Sequence, residues 1–402
     1  MLQLLLSYRY GDYEFGWQKL YGALYRVKGC ISQPHSLQII KAIDTDTTET
    51  VDMSPLLSAA TLSAITEAVL GCKTQDLGEL VEITTRVLRL AVDLDRKTIL
   101  FSSLGTHLPR WVWKLLTLIP NAALDEVRKG RNLSAHIGHR LAQEKVSAAR
   151  QGIEPNDDVF SQILDPNQPH KTVSEEDVAS QTSLILIAGQ ETSANTLAFG
   201  LLELAQNPEF QDSLRREIHS TRGHGSRDLP YNDMPLLNAF IKETLRLYPI
   251  TALTERMVGE DTVLPLMESI TTSTGERLSE VPLQKGQIIY MGIASYQRLE
   301  AIWGADAGEF KPTRWIEGTG SRQGAAAIGP YANLLTFFGG ERTCLGWRFA
   351  ILEMQVIICE LVGKFSFAPP EGDVARVHGT TIIQPVIPDG KKGAHLCVTP
   401  IV

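Results

Sequence analysis

The stretch Phe337-Phe338-Gly339-Gly340-Glu341-Arg342-Thr343-Cys344-Leu345-Gly346 decides how this chain is read. It gathers aromatic, glycine, arginine and cysteine side chains just before an apolar run that reads as a helix through Leu361. A metal-bound thiolate is a buried charge, so it needs backbone N–H donors and a positive field around it. Each residue type here answers one of those needs. Gly340 lets the loop turn tightly, and Gly346 lets the following helix pass close beneath a flat cofactor. The helix start after Cys344 places its positive dipole end beside the sulfur. Arg342 is placed to pair with a carboxylate, and Phe337 offers an aromatic face that shields the sulfur. An isolated cysteine in a glycine-rich turn is more often a packed core residue. The spacing overrules that reading, because Phe, Gly, Arg, Cys and Gly at these offsets arise by chance on the order of 10⁻⁴ times in a chain of this length.

The pattern Phe-x-x-Gly-x-Arg-x-Cys-x-Gly resembles the haem-binding signature of the cytochrome P-450 family. The resemblance extends in the right order from about Val51 to Val402. It implies a mainly α fold, a helical bundle around haem with a small β-sheet region. It also implies haem b held by Cys344, whose thiolate pushes electron density into the iron to favour O–O cleavage.

Ala188-Gly189-Gln190-Glu191-Thr192-Ser193 is similar to the family's oxygen-binding motif, midway along a long core helix. Ile185, Ala188, Gly189, Thr192, Ser193 and Thr196 recur at helical spacings and are expected on one face, toward the distal side of the haem. On that resemblance Gly189 leaves room for dioxygen, the Thr192 hydroxyl donates to the bound oxygen, and Glu191 helps to deliver protons. The competing reading is a threonine that bonds back to the Ala188 carbonyl and bends the helix.

Glu243-Thr244-Leu245-Arg246 resembles the family's Glu-x-x-Arg. Such a pair alone is usually a solvated helix face. Its order in the chain gives it weight, because Phe310-Lys311-Pro312-Thr313-Arg314-Trp315 follows and looks like the family's arginine partner. Arg314 would then complete a buried charge network with Glu243 and Arg246, structural in role. Arg256, after Pro249, stands where the family keeps an arginine for a haem propionate, against the alternative of an exposed arginine at a strand edge.

The rest of the sequence sets bounds. A net charge of −8 gives no support for nucleic-acid binding, which needs a basic field. The five cysteines are odd in number, widely spread and without a Cys-x-x-Cys pair, so a reducing compartment fits better than a disulfide framework. The apolar start Met1 to Ser7 is interrupted by Arg9 and Asp12 and reads as neither signal peptide nor spanning helix. Val178 to Leu202 is apolar with Glu191 as its one charge, and its many polar residues favour a buried core helix over a membrane span.

Further helices are expected from Ser54-Pro55, an N-cap and a first-turn proline, to Gly71, from Ser174 with Asp177 as a capping box, from Pro208 to His219 and from Met234 to Leu247. Strands are expected at Leu24 to Lys28 and Ile288 to Ile293, with irregular meanders over Asp261 to Gly286 and Ile316 to Leu335. With no repeat and no linker, residues 1–402 read as a single domain.

One departure from the family stands out. Trp17 to Gly29 resembles its opening helix and first strand, whereas Val51-Asp-Met-Ser-Pro onward resembles helices that come much later. On this reading the segment expected between about 36 and 45, with a Trp-x-x-x-basic motif for the haem propionates, is expected to be lacking, and no microsomal membrane anchor is expected in residues 1–402. Losing a charged partner for a propionate costs about 1.5–3 kcal/mol, so haem retention is expected to be loosened rather than abolished. The resemblance implies a monomeric monooxygenase that inserts one atom of O₂ into an apolar small molecule, with electrons from an NADPH-dependent diflavin reductase. The family works at the cytosolic face of the endoplasmic reticulum, and a chain without the anchor would be peripheral or cytoplasmic. Two alternatives stand beside it: a haem-thiolate isomerase or peroxygenase that needs no reductase, and a non-catalytic remnant with weak haem binding.

Overall fold

The computed structural model describes residues 39–40, 43, 48–92, 112, 122–153, 158–164, 174–222, 229–318, 328–370, 376–378 and 382–401. The strand expected at Leu24 to Lys28, the opening helix and most of the 36–45 stretch lie outside these residues.

Strand β1 (Glu49–Asp52) leads into helix α1 (Met53–Ile65), which continues through a π-turn over Thr66–Leu70 and stops at Gly71, φ +65°. The cap is Asp52, not Ser54 as the sequence suggested: its Oδ1 accepts from Ser54 N at 3.0 Å and from Ala394 N at 2.9 Å. One carboxylate therefore satisfies both the helix start and the entry to the last strand, while Ser54 is buried. Helices α2 (Glu79–Val92), α3 (Ala122–Arg150) and α4 (Val159–Leu164) follow.

Helix α5 (Glu175–Gln206) is the axis of the fold. Ser174 and Asp177 form the expected capping box, with Asp177 N on Ser174 Oγ at 3.1 Å and Ser174 N on Asp177 Oδ2 at 3.0 Å. Its buried residues divide between two apolar clusters. Val178 and Leu186 pack with α1, α3 and α4, whereas Ala194 through Ala205 pack with the later helices. Some of its buried hydroxyls bond back to the helix, as Thr196 Oγ1 does to the Thr192 carbonyl at 2.9 Å.

Helix α6 (Pro208–Arg222) supplies Glu217, whose two oxygens accept from Leu236 N and Leu237 N at the start of α7 (Pro235–Leu247), 2.8 and 2.9 Å. A carboxylate there suits the positive end of a helix. Strands β2 (Leu253–Met257) and β5 (Ile288–Gly292) pair antiparallel, Arg256 opposite Ile289. Between them, β3 (Thr262–Thr271) and β4 (Arg277–Leu283) form a hairpin closed at Gly275, φ +83°. This corrects the irregular meander expected there. Val263, Leu264 and Ile270 are about half exposed, so no apolar alternation marked the strands.

Two short helices, α8 (Ile293–Tyr296) and α9 (Glu300–Trp303), precede the cysteine loop, and α10 (Trp347–Val362) follows it. The chain closes with β6 (Phe365–Ala368), β7 (Arg376–His378), β8 (Gln384–Val386) and β9 (His395–Pro400). Strand β9 lies between β1 and β6 in a three-stranded antiparallel sheet. Among the described residues one helix, Met53–Leu70, is long and apolar enough to cross a membrane, and 72% of it is buried in the protein.

Candidate functional site

The loop before α10 closes on itself. Cys344 N donates to the Phe337 carbonyl at 2.8 Å, and the Thr343 amide and hydroxyl both donate to the Gly340 carbonyl at 3.2 and 2.7 Å. Gly340 sits at φ +66°, the left-handed turn its position in the sequence required. Phe338 takes φ +57°, a conformation that costs a non-glycine residue on the order of 1–2 kcal/mol and persists only where the surroundings impose it. Phe337 is buried and meets Tyr331 edge to face, 6.5 Å between ring centres.

Burial pushes the Cys344 thiol above its usual range, and the Gly346 backbone N–H on the sulfur works the other way. The residue nevertheless keeps an exposed surface. The cysteine thus sits among many protein atoms yet at the surface of the loop. A Cβ built at Gly340 or Gly346 would meet no atom within 4 Å, so the flank of the loop has room for a flat group. Arg342 is exposed. The Arg256 guanidinium on β2 lies 4.8 Å from the centre of the Phe338 ring and donates to Thr254 Oγ1 and the Glu255 carbonyl. A single soft ligand, an amide donor to its charge, an open flank and two arginines nearby are the donor set that haem b with its propionates would use.

Midway along α5 the expected single face divides. Gly189 is set against α1, where a Cβ would come 2.7 Å from Ile65 Cγ1. Close helix packing thus accounts for a glycine that was expected to leave room for dioxygen. Ser193 is buried toward α10, and Ala188 is exposed. The half-buried Thr192 hydroxyl donates to the Ala188 carbonyl at 2.7 Å, the back-bond weighed above. Glu191 is held by two partners that nothing in the sequence indicated: the Ser58 hydroxyl of α1 donates to Oε1 at 2.7 Å, and Lys392 forms an ion pair with Oε2.

The charge network is fully buried. Arg246 Nε and Nη2 donate to Glu243 Oε2 and Oε1 at 2.9 and 2.8 Å, and Arg314 Nε donates to Oε1 at 2.9 Å. Burial opposes the charge of Arg314, but the hydrogen bonds and attraction of Glu243 and Asp306 together outweigh it and raise its pKa. Trp315 Nε1 and Lys311 N complete the shell of Glu243. The spare donors of Arg246 reach the carbonyls of Gln297, Ala307 and Glu309. Gln297 in turn donates to Leu245 O, Arg246 O and Thr336 Oγ1 at 2.8–3.1 Å, and Thr336 is the residue before Phe337. The network therefore ends on the cysteine loop.

Two more features adjoin the site. Glu353, nine positions after Cys344 on α10, is fully buried, and among the described residues neither carboxyl oxygen has a hydrogen-bond partner. Burial raises its pKa to about 8; the nearby Ser193 side chain pulls the other way without reaching hydrogen-bond geometry. Two apolar segments, one after Pro249 and one near the C-terminus, also meet. Thr251 bridges to Ile382, Ile383 N donates to the Ile250 carbonyl at 2.9 Å, and Ile250 and Ile383 pack on Phe199 of α5. Thr380 and Thr381 lie outside the described residues.

Comparison with known proteins now bears on this arrangement. The family profile described as Cytochrome P-450 matches residues 32–389. The chain is 36% identical over 272 residues to a cytochrome P-450 monooxygenase 91 of Postia placenta, covering 63% of this chain and 49% of that protein. It is 32% identical over 285 residues to a ganoderic acid synthetase of Ganoderma lucidum, covering 66% and 52%. It is 30% identical over 317 residues to the monooxygenase claP of Ampulloclitocybe clavipes, covering 73% and 58%. The chain spans about half the length of these relatives. With the profile covering most of its length and the cysteine loop, the buried charge network and the long central helix all in place, the chain belongs to the cytochrome P-450 family.

Proposed function

We propose that this chain is a haem-thiolate monooxygenase that inserts one atom of O₂ into an apolar small molecule, with electrons from an NADPH-dependent diflavin reductase. The observation that carries the reading is the Cys344 loop, closed by the Cys344 amide on the Phe337 carbonyl and turned at Gly340, with an exposed cysteine and a flank that would accept a flat cofactor. Haem b, when bound, supplies redox chemistry that a thiolate ligand biases toward O–O cleavage. The protein's own part is to hold and protect. Cys344 provides the ligand and the Gly346 amide steadies its charge. Arg342 and Arg256 would neutralise the propionates. Thr192 and Glu191 would handle protons, which asks the Thr192 hydroxyl to leave the Ala188 carbonyl. The apolar contacts of Phe199, Ile250, Ile382 and Ile383 give a wall suited to an apolar substrate and to excluding water. The relatives' names, monooxygenases among them, support oxygen insertion.

Turnover of a panel of terpenoid, steroid, fatty-acid and aromatic compounds tests the reading. Product should require NADPH, the reductase and O₂ together, and labelled oxygen from O₂ should enter it. Equal yield with peroxide alone would favour the peroxygenase alternative.

A further inference from the structure

Lys392 is 201 positions away from Glu191 in the sequence, yet its ammonium is paired with that carboxylate. Glu191 is the single charge between Val178 and Leu202 of the central helix. Its side chain is 17% exposed and that of Lys392 26%, so the pair lies mostly inside the protein. A charge at such a site is costly unless paired and hydrogen-bonded, and here it is both. Oε1 accepts from Ser58 Oγ at 2.7 Å, and Ser58 Oγ in turn accepts from Gln190 Nε2 at 2.8 Å.

Lys392 is itself fixed by backbone. It bridges to Val386 and lies in a turn where Ile387 N donates to Lys391 O and Gly390 N to Ile387 O, both 2.9 Å, with Gly390 at φ +84°. Past the turn, Gly393 N donates to Pro385 O, and Ala394 N to the Asp52 carboxylate that caps α1. The neighbouring Lys391 is 81% exposed and pairs with Asp389 of the same turn. Two adjacent lysines are thus used differently, and the geometry singles out the second.

We propose that Lys392 is a positioning residue for Glu191, an inference that rests on the monooxygenase reading above. Lys392 and Ser58 hold the carboxylate from opposite sides, at the junction of α1, α5 and the 387–393 turn. Lys392 is the more exposed member of the ion pair, so it stands on the solvent side of the carboxylate it holds.

Two measurements test this. The first needs no turnover: urea unfolding of haem-loaded wild type, Lys392→Met, Glu191→Gln and the double variant. The account expects strong non-additivity, with the double variant unfolding at about the same urea concentration as the weaker single variant. Additive shifts would overturn the pairing. The second compares product formed per NADPH consumed. Lys392→Met should keep the thiolate CO spectrum but lose coupling several-fold with KM little changed, and Lys392→Arg should restore most of it. Unchanged coupling in Lys392→Met, or no rescue by arginine, would overturn the positioning role. Absence of NADPH-driven product in the wild type would instead refute the monooxygenase reading and leave the unfolding result to decide the pairing alone.

Discussion

Replacing Glu353 by glutamine isolates the energetic effect of one buried carboxyl. The side chain is fully buried on α10, neither oxygen has a hydrogen-bond partner among the described residues, and burial raises its pKa from 4.5 to about 8. The sign follows from proton counting. Between those values the folded protein holds a proton that the unfolded chain releases, so stability falls as pH rises through the window. Each pH unit is worth about 1.36 kcal/mol per proton, and the window is about three and a half units wide, so up to about 5 kcal/mol is lost between pH 4.5 and pH 8. Glutamine keeps the shape and carries no titrating proton. An amide left without partners adds a penalty of about 1–3 kcal/mol, but that term does not vary with pH. Urea unfolding at pH 5, 6.5 and 8 should therefore show the difference between Glu353→Gln and wild type moving steadily in favour of the variant. A gain of about 3–5 kcal/mol is expected across the range. Parallel stability curves would refute the reasoning and mean that the carboxyl is solvated or paired in solution.

Other changes read other parts of the account. Glu243→Ala leaves Arg246 and Arg314 buried without their shared carboxylate and should lower stability by about 3–5 kcal/mol in urea unfolding, with loss of bound haem because the network ends on the cysteine loop. Gly71→Ala forces a side chain into a left-handed residue, 2.2 Å from the Asp158 carboxylate that pairs with Lys145; a loss of about 1–3 kcal/mol is expected, and an unshifted unfolding midpoint would count against it. Thr192→Ala should keep the thiolate CO spectrum yet consume NADPH with release of peroxide instead of product. Unchanged coupling would show that the back-bond to Ala188 is all that Thr192 does.

What the sequence made legible follows a physical divide. The cysteine loop could be read because its demands, a left-handed turn at Gly340 and a helix start after Cys344, fall on residue types at fixed short offsets. The capping box at Ser174 and the stop at Gly71 are local in the same way. The cap of α1 was misplaced onto Ser54 because Asp52 was chosen by a distant need, the amide of Ala394, as much as by the helix. The β3–β4 hairpin left no apolar alternation because neither strand has a well-buried face. Glu243, Arg246 and Arg314 could be assembled from motif order, but Gln297 and Thr336, which carry the network to the loop, are ordinary residues until folded. Lys392 with Glu191 and Ser193 beside Glu353 are contacts between elements far apart in the chain, and no local pattern encodes them.

The central claim is that Cys344 is the sole protein ligand of a bound haem. The most direct measurement is the absorption spectrum of the reduced, CO-treated protein, wild type and Cys344→Ala side by side, with haem content per chain determined on both. The account predicts the red-shifted Soret band of thiolate ligation in the wild type and its loss in Cys344→Ala. A thiolate band that survives in Cys344→Ala would contradict the assignment.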